Sequence, residues 1–448
     1  PHPRTFIGVT VILLIFSVRF HDALLYPIAG HEDGRDLLTL IFNNGSWRML
    51  FRHYAGYVSV GPNLLAWIAS FAPVHWIPLL FAGLALLVAG GAMTAVACDR
   101  SGISAPSRLD RLIVAAMLIV LPLGKSYMFT NVTYSQWHML FLLLLLLIQP
   151  LPRTRSGLIG WSVLIAIVSV SNPLSFLGLP LLLLKWRGIR TVMQRSAVVL
   201  CGVIMVSYPV WGVQHHQLPV ITPASCLFAV RVFLSRVIVE SIAGPRLITA
   251  LEAHGWGGLT AAAGTVLLAI WLGFRWWFHG QQTGQSKKVD FTAGFQEVVW
   301  GGMYLWMAAF AIVFISVHLR YADLAAQAIR SIYLMEPNLQ RYVYVPKLIV
   351  LYLVLSRGIP VFRGWLKRVS IPVKIVSGLV LIAYLVIINV HNAPLYRTDP
   401  VEGRRLKIFL EDAATNLRRR DGGGDYAPRM ILERDGDWDI VLKFEPTP

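Results

Sequence analysis

Long apolar runs, broken by short basic groups, recur along the whole 448-residue chain and leave few folds open to it. A run of about 20 apolar residues crosses a bilayer as a helix, because a helix satisfies all its backbone polar groups within the segment. Such runs fall near residues 5–27, 75–98, 111–124, 136–150, 158–171, 174–186, 196–213, 257–278, 298–317, 343–356 and 371–390. With 56% hydrophobic and only 14% charged residues, the composition is that of a membrane protein. The expectation is an all-α polytopic fold of about eleven transmembrane helices. No small-residue cleavage site follows the first run, so a retained span is expected there and not a cleaved leader.

Orientation follows from the basic residues. The formal net charge of +17 is not gathered on one face, as it is in a nucleic-acid binder. Short Lys and Arg groups between spans are topology determinants and lipid-headgroup contacts. Ser171-Asn172-Pro173 either separates two abutting spans or kinks one helix, since proline removes an N–H and breaks the ladder before it. If two spans meet there, one set of loops is consistently basic: Arg100, Arg108 and Arg111; Arg153 and Arg155; Lys185, Arg187, Arg190 and Arg195; Arg275, Lys287 and Lys288; Arg357, Arg363, Lys367 and Arg368. The positive-inside rule then puts these loops and the N-terminus in the cytoplasm. The longer connections 28–74, 214–256 and 318–342 face outward, as does the C-terminal tail.

The outer connections are not plain linkers. Residues 36–50 mix Leu37, Leu38, Leu40, Ile41, Trp47, Met49 and Leu50 with polar side chains, the pattern of a helix lying in the interface. A second interfacial element opens at Gly61-Pro62-Asn63. In the third outer loop Leu324, Ala325, Ala328, Ile329, Ile332 and Tyr333 recur at helical spacing. Past His391 the composition turns charged, and residues 392–448 form a small exoplasmic α/β appendage to the transmembrane domain 1–391. Its expected parts are one helix over 401–418 and a terminal strand or hairpin, packed on the outer loops. No fixed-period repeat is present, and Cys98, Cys201 and Cys226 lack any CxxC spacing.

Chemistry is expected at His31-Glu32-Asp33-Gly34-Arg35-Asp36, five ionisable side chains in six residues directly after the first span. Glu32 and Asp33 fit a general base and its orienting partner; the bland alternative is a charged membrane boundary. Gly34 permits a tight turn, which favours Asp33 as the base. The stretch 125–138 is dense in aromatic and amide side chains, including Asn131, Gln136, Trp137 and His138, and fits either a sugar site or an interfacial aromatic belt. His53 and His138 fit proton carriers or satisfied hydrogen-bonders. Arg341-Tyr342-Val343-Tyr344 at a membrane entry suits a lipid phosphate, or a cation snorkelling at a helix end. Glu32, Asp33 and Asp36 could hold a divalent cation, but nothing demands one, and His215-His216 is a weak metal signal. The chain has no Walker A loop, GxGxxG, HExxH or GxSxG, so an ATP-driven pump, a dinucleotide enzyme, a zincin and an α/β-hydrolase are not expected.

Taken together, Glu32-Asp33-Gly34, Tyr54-Ala55-Gly56-Tyr57 with Pro62, Asn131 through His138, and Arg341-Tyr342 before Pro346 resemble the GT-C superfamily of integral-membrane glycosyltransferases. Within it they look like a bacterial subgroup with an EDG…YAGY…P pattern. The resemblance covers most of residues 1–390 in order and topology, on short motifs. It implies an enzyme of the bacterial plasma membrane that moves a hexosyl or pentosyl unit from a polyprenyl-phosphate donor to a glycan or lipid-linked acceptor hydroxyl at the outer face, with inversion. Asp33 or Glu32 would then take the acceptor proton. Arg341 and Tyr342, with Arg320 or Arg231, would hold the donor phosphate, and Tyr54, Tyr57, His53, Asn131, Gln136, Trp137 and His138 would line the sugar or acceptor site. Many GT-C enzymes carry Asp-Glu or Asp-Asp where this chain has Glu32-Asp33, which leaves the choice of base open. The tail is too small for the soluble domain of oligosaccharyltransferases, so a peptide acceptor is not expected. The rival class is a secondary transporter or a lipid or polysaccharide flippase; a membrane acyltransferase is weaker.

Overall fold

The computed structural model describes residues 3–27, 33–38, 41, 47–54, 57–99, 101, 103–121, 123–124, 126–186, 189, 191–211, 221–269, 301–318, 339–393, 400–418, 429–431 and 439–441. Helix dominates them. In chain order the helices are α1 (Pro3–Arg19), α2 (Val60–Ala69), α3 (Ile77–Cys98), α4 (Arg108–Val120), α5 (Ser135–Ile148), α6 (Arg155–Ser169), α7 (Leu179–Trp186) and α8 (Val192–Trp211). They continue as α9 (Pro223–Val232), α10 (Pro245–Ala253), α11 (Gly257–Ala269), α12 (Gly301–His318), α13 (Leu339–Arg368), α14 (Ile371–Asn392) and α15 (Pro400–Arg418). Two antiparallel ribbons complete the described structure, β1 (His53–Tyr54) with β2 (Tyr57–Val58) and β3 (Arg429–Ile431) with β4 (Asp439–Val441).

Among the described residues five stretches are long and apolar enough to cross a membrane: Val74–Cys98, Val192–Trp211, Gly301–His318, Arg341–Arg368 and Ile371–Asn392. Six shorter apolar helices accompany them, among them Thr10–Arg19, Ser135–Ile148 and Arg155–Ser169. The break at Ser171-Asn172-Pro173 is a reversal of the chain. Past it, a 3-10 turn (Pro173–Gly178) leads into α7, and Lys185 near the end of α7 donates to the Gln149 carbonyl ahead of α6. A merely kinked helix would have carried Lys185 away from that carbonyl.

Long-range hydrogen bonds sort the helix ends into two poles. At one pole Arg19, closing α1, donates to the carbonyl of Val120 (2.5 Å), the last residue of α4, and to Asn389 Oδ1 (2.9 Å) near the end of α14. A cation over converging helix C-termini is favoured by their dipoles. The N-terminal ends of α5 and α13 join this pole, where Tyr344 bonds His138. At the opposite pole Arg363 pairs with Asp110 at 3.1 Å, joining the late part of α13 to the start of α4.

The main core runs through α1, α3, α4, α5, α8 and α13, with Phe16, Phe20 and Phe129 in mutual ring contact. A second core lies under the first connection. It gathers Leu37, Leu38, Met49, Ala66, Phe81 and Val132 together with Leu406 and Leu410 of α15. The tail therefore packs on the first connection, as its size required. Of the helix expected over 36–50, the structure describes the end of a π-helical turn (Asp33–Leu38), the helical Ile41 and a 3-10 turn (Trp47–Phe51); residues 39–40 and 42–46 lie outside the described set. Also outside it are His31, Glu32, His215, His216 and the whole of 319–338, including Arg320 and the expected amphipathic helix.

Candidate functional site

Asp33 is 1% exposed, and three donors converge on its carboxylate. The Val132 amide donates to Oδ2 (2.7 Å), while the Thr133 amide (2.8 Å) and hydroxyl (2.7 Å) donate to Oδ1. Asn131 makes the turn that presents them: its Oδ1 accepts the Tyr134 amide at 3.1 Å, and Ser135 Oγ closes on the Val132 carbonyl at 2.6 Å. Short polar side chains that bond nearby backbone groups favour such turns. A charge can be buried only where such partners replace water. Asp33 thus welds the first connection to the start of α5.

The rest of the first connection is fastened to the same region. Tyr57 donates to Gln136 Oε1 at 2.9 Å. Ser59 Oγ donates to the Ser171 carbonyl and the Gly61 amide to Ser171 Oγ, both at 2.8 Å. Gly61 is required by this approach, since a Cβ there would stand 2.4 Å from Met139 Sδ and from Ser171 Oγ. Asn63 Nδ2 donates to the carbonyls of Leu50 (3.2 Å) and Arg52 (3.1 Å), closing the loop on itself.

From α5 the contacts pass to α13. Trp137 is buried edge-on to Tyr342 with ring centroids 5.7 Å apart, and the Arg341 guanidinium lies 5.0 Å over the Tyr342 ring. The Trp137 indole N–H, buried, has no hydrogen-bond acceptor among the described residues. Of the residues singled out in the sequence, Asp33, Tyr57, Asn131, Gln136, Trp137, Tyr342 and Arg341 are therefore linked at one pole. Glu32 and Arg320 lie outside the described residues, as does the side chain of Tyr54. His53 is exposed on β1. His138 is not available as a sugar contact: it is fully buried between Phe129 and Tyr344, with its Nε2 2.8 Å from the Tyr344 hydroxyl. Arg231 packs against Gly257, where any Cβ would collide with its guanidinium.

One cluster was not foreseen. Lys347 of α13 donates to Glu240 Oε1 (2.5 Å) and to the Leu123 carbonyl (3.2 Å). Arg236 bonds Glu240 Oε2 (3.3 Å), Thr249 Oγ1 (3.1 Å) and Glu252. All four charged side chains are buried. Two cations and two carboxylates balance within the cluster, as burial demands. Burial pushes the Glu252 carboxyl above its ordinary 4.5, with Arg236 pulling the other way. The lone lysine inside the apolar run 343–356 was the available signal, since a cation there needs a partner.

Among the described residues no group of three His, Cys, Asp or Glu side chains is placed to hold a metal ion. No protein-family model and no curated protein matches this chain.

Proposed function

We propose that this chain is a GT-C-type glycosyltransferase of the bacterial plasma membrane, with about eleven spans and its site at the outer face. It takes a sugar from a polyprenyl-phosphate donor to a hydroxyl of a glycan or lipid-linked acceptor. The observation that carries the reading is the convergence at one pole of the buried first-connection carboxylate, the Tyr57–Gln136 pair and the Trp137–Tyr342–Arg341 stack. Aromatic faces and amides suit a sugar, and a guanidinium suits a phosphate.

In the proposed step the acceptor oxygen forms a bond to C1 as the C1–O bond to the lipid phosphate breaks, with inversion. The acceptor proton passes to a carboxylate, and the bonding pair leaves on the phosphate, whose growing charge Arg341 stabilises. Asp33 already holds donors on both oxygens, which suits it to fixing the loop. The proton-accepting role then falls to its neighbour Glu32, and help of this kind is typically worth about 10²–10⁴-fold in rate.

The test is a transfer assay on the purified protein with a panel of polyprenyl-phosphate sugars. Glu32→Gln is expected to fold normally, bind donor and lose transfer; Arg341→Ala is expected to raise the KM for donor. Full transfer by Glu32→Gln removes this base, and no transfer by the unaltered protein from any donor in the panel removes the reading.

The buried Lys347–Glu240–Arg236–Glu252 cluster favours a second reading, a secondary transporter or flippase, because ionisable groups within a membrane mark transport pathways. Its depth argues the other way. Lys347 bonds the carbonyl of Leu123, beyond the end of α4, near the outer pole and not at the midplane where transporters bind substrate. Flux through proteoliposomes without sugar transfer would favour the rival.

A further inference from the structure

The first connection carries a face that the proposed transfer chemistry does not use. On the turn Trp47–Phe51, Met49 points into the second core while Trp47 (61% exposed) and Phe51 (53%) stand out to the surroundings. Their rings meet edge-on at 6.5 Å. Arg48, Arg52 and His53 are exposed beside them. After the next helix, Phe71 (73%) and Trp76 (50%) are again exposed, with His75 between them.

Three properties of this face point to one occupant. Four large aromatic side chains left in the open cost free energy in water, whereas Trp at the headgroup level of a bilayer is stabilised. Neither Arg48 nor Arg52 has an ion-pair partner among the described residues, and the chain contains no Asp or Glu between Leu37 and Cys98. Two exposed arginines on an outer connection also run against the positive-inside bias, and an anionic surface would compensate them. Aromatic rings at headgroup depth with guanidinium groups beside them match an anionic phospholipid. A second copy of the chain would bring the same positive face against itself.

We infer that the 47–53 turn is a docking site for anionic phospholipid headgroups, with Arg48 and Arg52 binding the phosphate and Trp47 and Phe51 seated at the acyl boundary. The inference rests on the membrane placement of the first connection and not on sugar transfer. Each basic residue near an anionic surface strengthens binding by roughly fivefold, so the pair sets a preference of up to about thirtyfold.

The experiment reconstitutes the full chain in vesicles of phosphatidylcholine alone or with phosphatidylglycerol, in which one lipid at a time is brominated near the headgroup. The chain has 15 tryptophans, so Trp47 emission is read as the difference between the unaltered protein and Trp47→Phe. Trp47 is expected to be quenched more strongly by brominated phosphatidylglycerol than by brominated phosphatidylcholine at equal mole fraction. The Arg48→Gln, Arg52→Gln double variant should lose that preference while keeping its quenching by phosphatidylcholine, and the Arg48→Lys, Arg52→Lys variant should retain it. Equal quenching by the two lipids in the unaltered protein overturns the inference, as does a preference that survives the double Gln variant. No donor or acceptor is present in this measurement, so its failure leaves the transfer reading untouched.

Discussion

Asp33 and Glu240 are both carboxylates, each about 1% exposed, and they are made tolerable in opposite ways. Among the described residues Asp33 accepts from backbone amides and a hydroxyl of one turn, directional donors that carry no net charge. Glu240 is held by two cations, Lys347 and Arg236, that arrive from separate positions in the chain. The first arrangement fixes a loop in one geometry at little electrostatic risk. The second fixes α13 to the segment 233–253 only while every member is present, since removing one leaves a buried charge without its counterpart.

That contrast predicts a graded set of losses. The largest is expected for Lys347→Ala, about 3–5 kcal/mol of stability, read as a fall in denaturant midpoint in detergent micelles. Lys347→Met combined with Glu240→Gln restores charge balance, with Arg236 left to Glu252, and should cost clearly less than the sum of the single changes. Strict additivity would break the comparison, because groups in one network couple. Asp33→Asn comes next. An amide offers one acceptor oxygen in place of two, so a buried N–H of the 132–133 turn loses its acceptor at a cost of about 1–3 kcal/mol. A fully stable Asp33→Asn would mean that the turn does not depend on the charge.

Smaller effects sharpen the same point. Thr133→Val removes one of the donors to Asp33 without changing shape and should cost about 1 kcal/mol. Glu252 gives the pH test. Its native proton affinity is raised by burial, so the native state binds a proton more tightly than the unfolded chain. Its contribution to stability is full below the ordinary 4.5 and is lost as pH rises through the raised native value. Glu252→Gln should flatten that slope in a series of unfolding midpoints against pH. An unchanged slope would show that Arg236 keeps Glu252 ionised and the cluster wholly ionic.

The helices were legible because bilayer thickness imposes a length and a composition that can be read directly. At Ser171-Asn172-Pro173 a proline announces a break but not a direction; only the run of basic loops favoured a reversal there, and distant bonds such as Lys185 to Gln149 set it. Asp33 was legible as a dense charge after a span. Its partners at the 132–133 turn were not, because two of those three donors are main-chain amides, which every residue but proline possesses. The Lys347–Glu240 pair spans 107 positions, beyond the reach of any local spacing rule, although Arg236 and Glu240 stand at i and i+4. The tail helix could be read from its periodicity, but not the fact that Leu406 and Leu410 enter the same core as Leu37 and Leu38.

That shared core links the two ends of the chain in time. A ribosome delivers residues 33–38 early and residues 400–418 late, with every bundle helix after α1 made between them. The connection that bears Asp33 therefore waits, with part of its apolar surface uncovered, until α15 has been synthesised and has packed against it. Docking of α15 becomes a late step of assembly at the pole that bears Asp33. A chain released before residue 400 is expected to insert its bundle yet present an unfinished first connection, which proteases acting on that side would cut first.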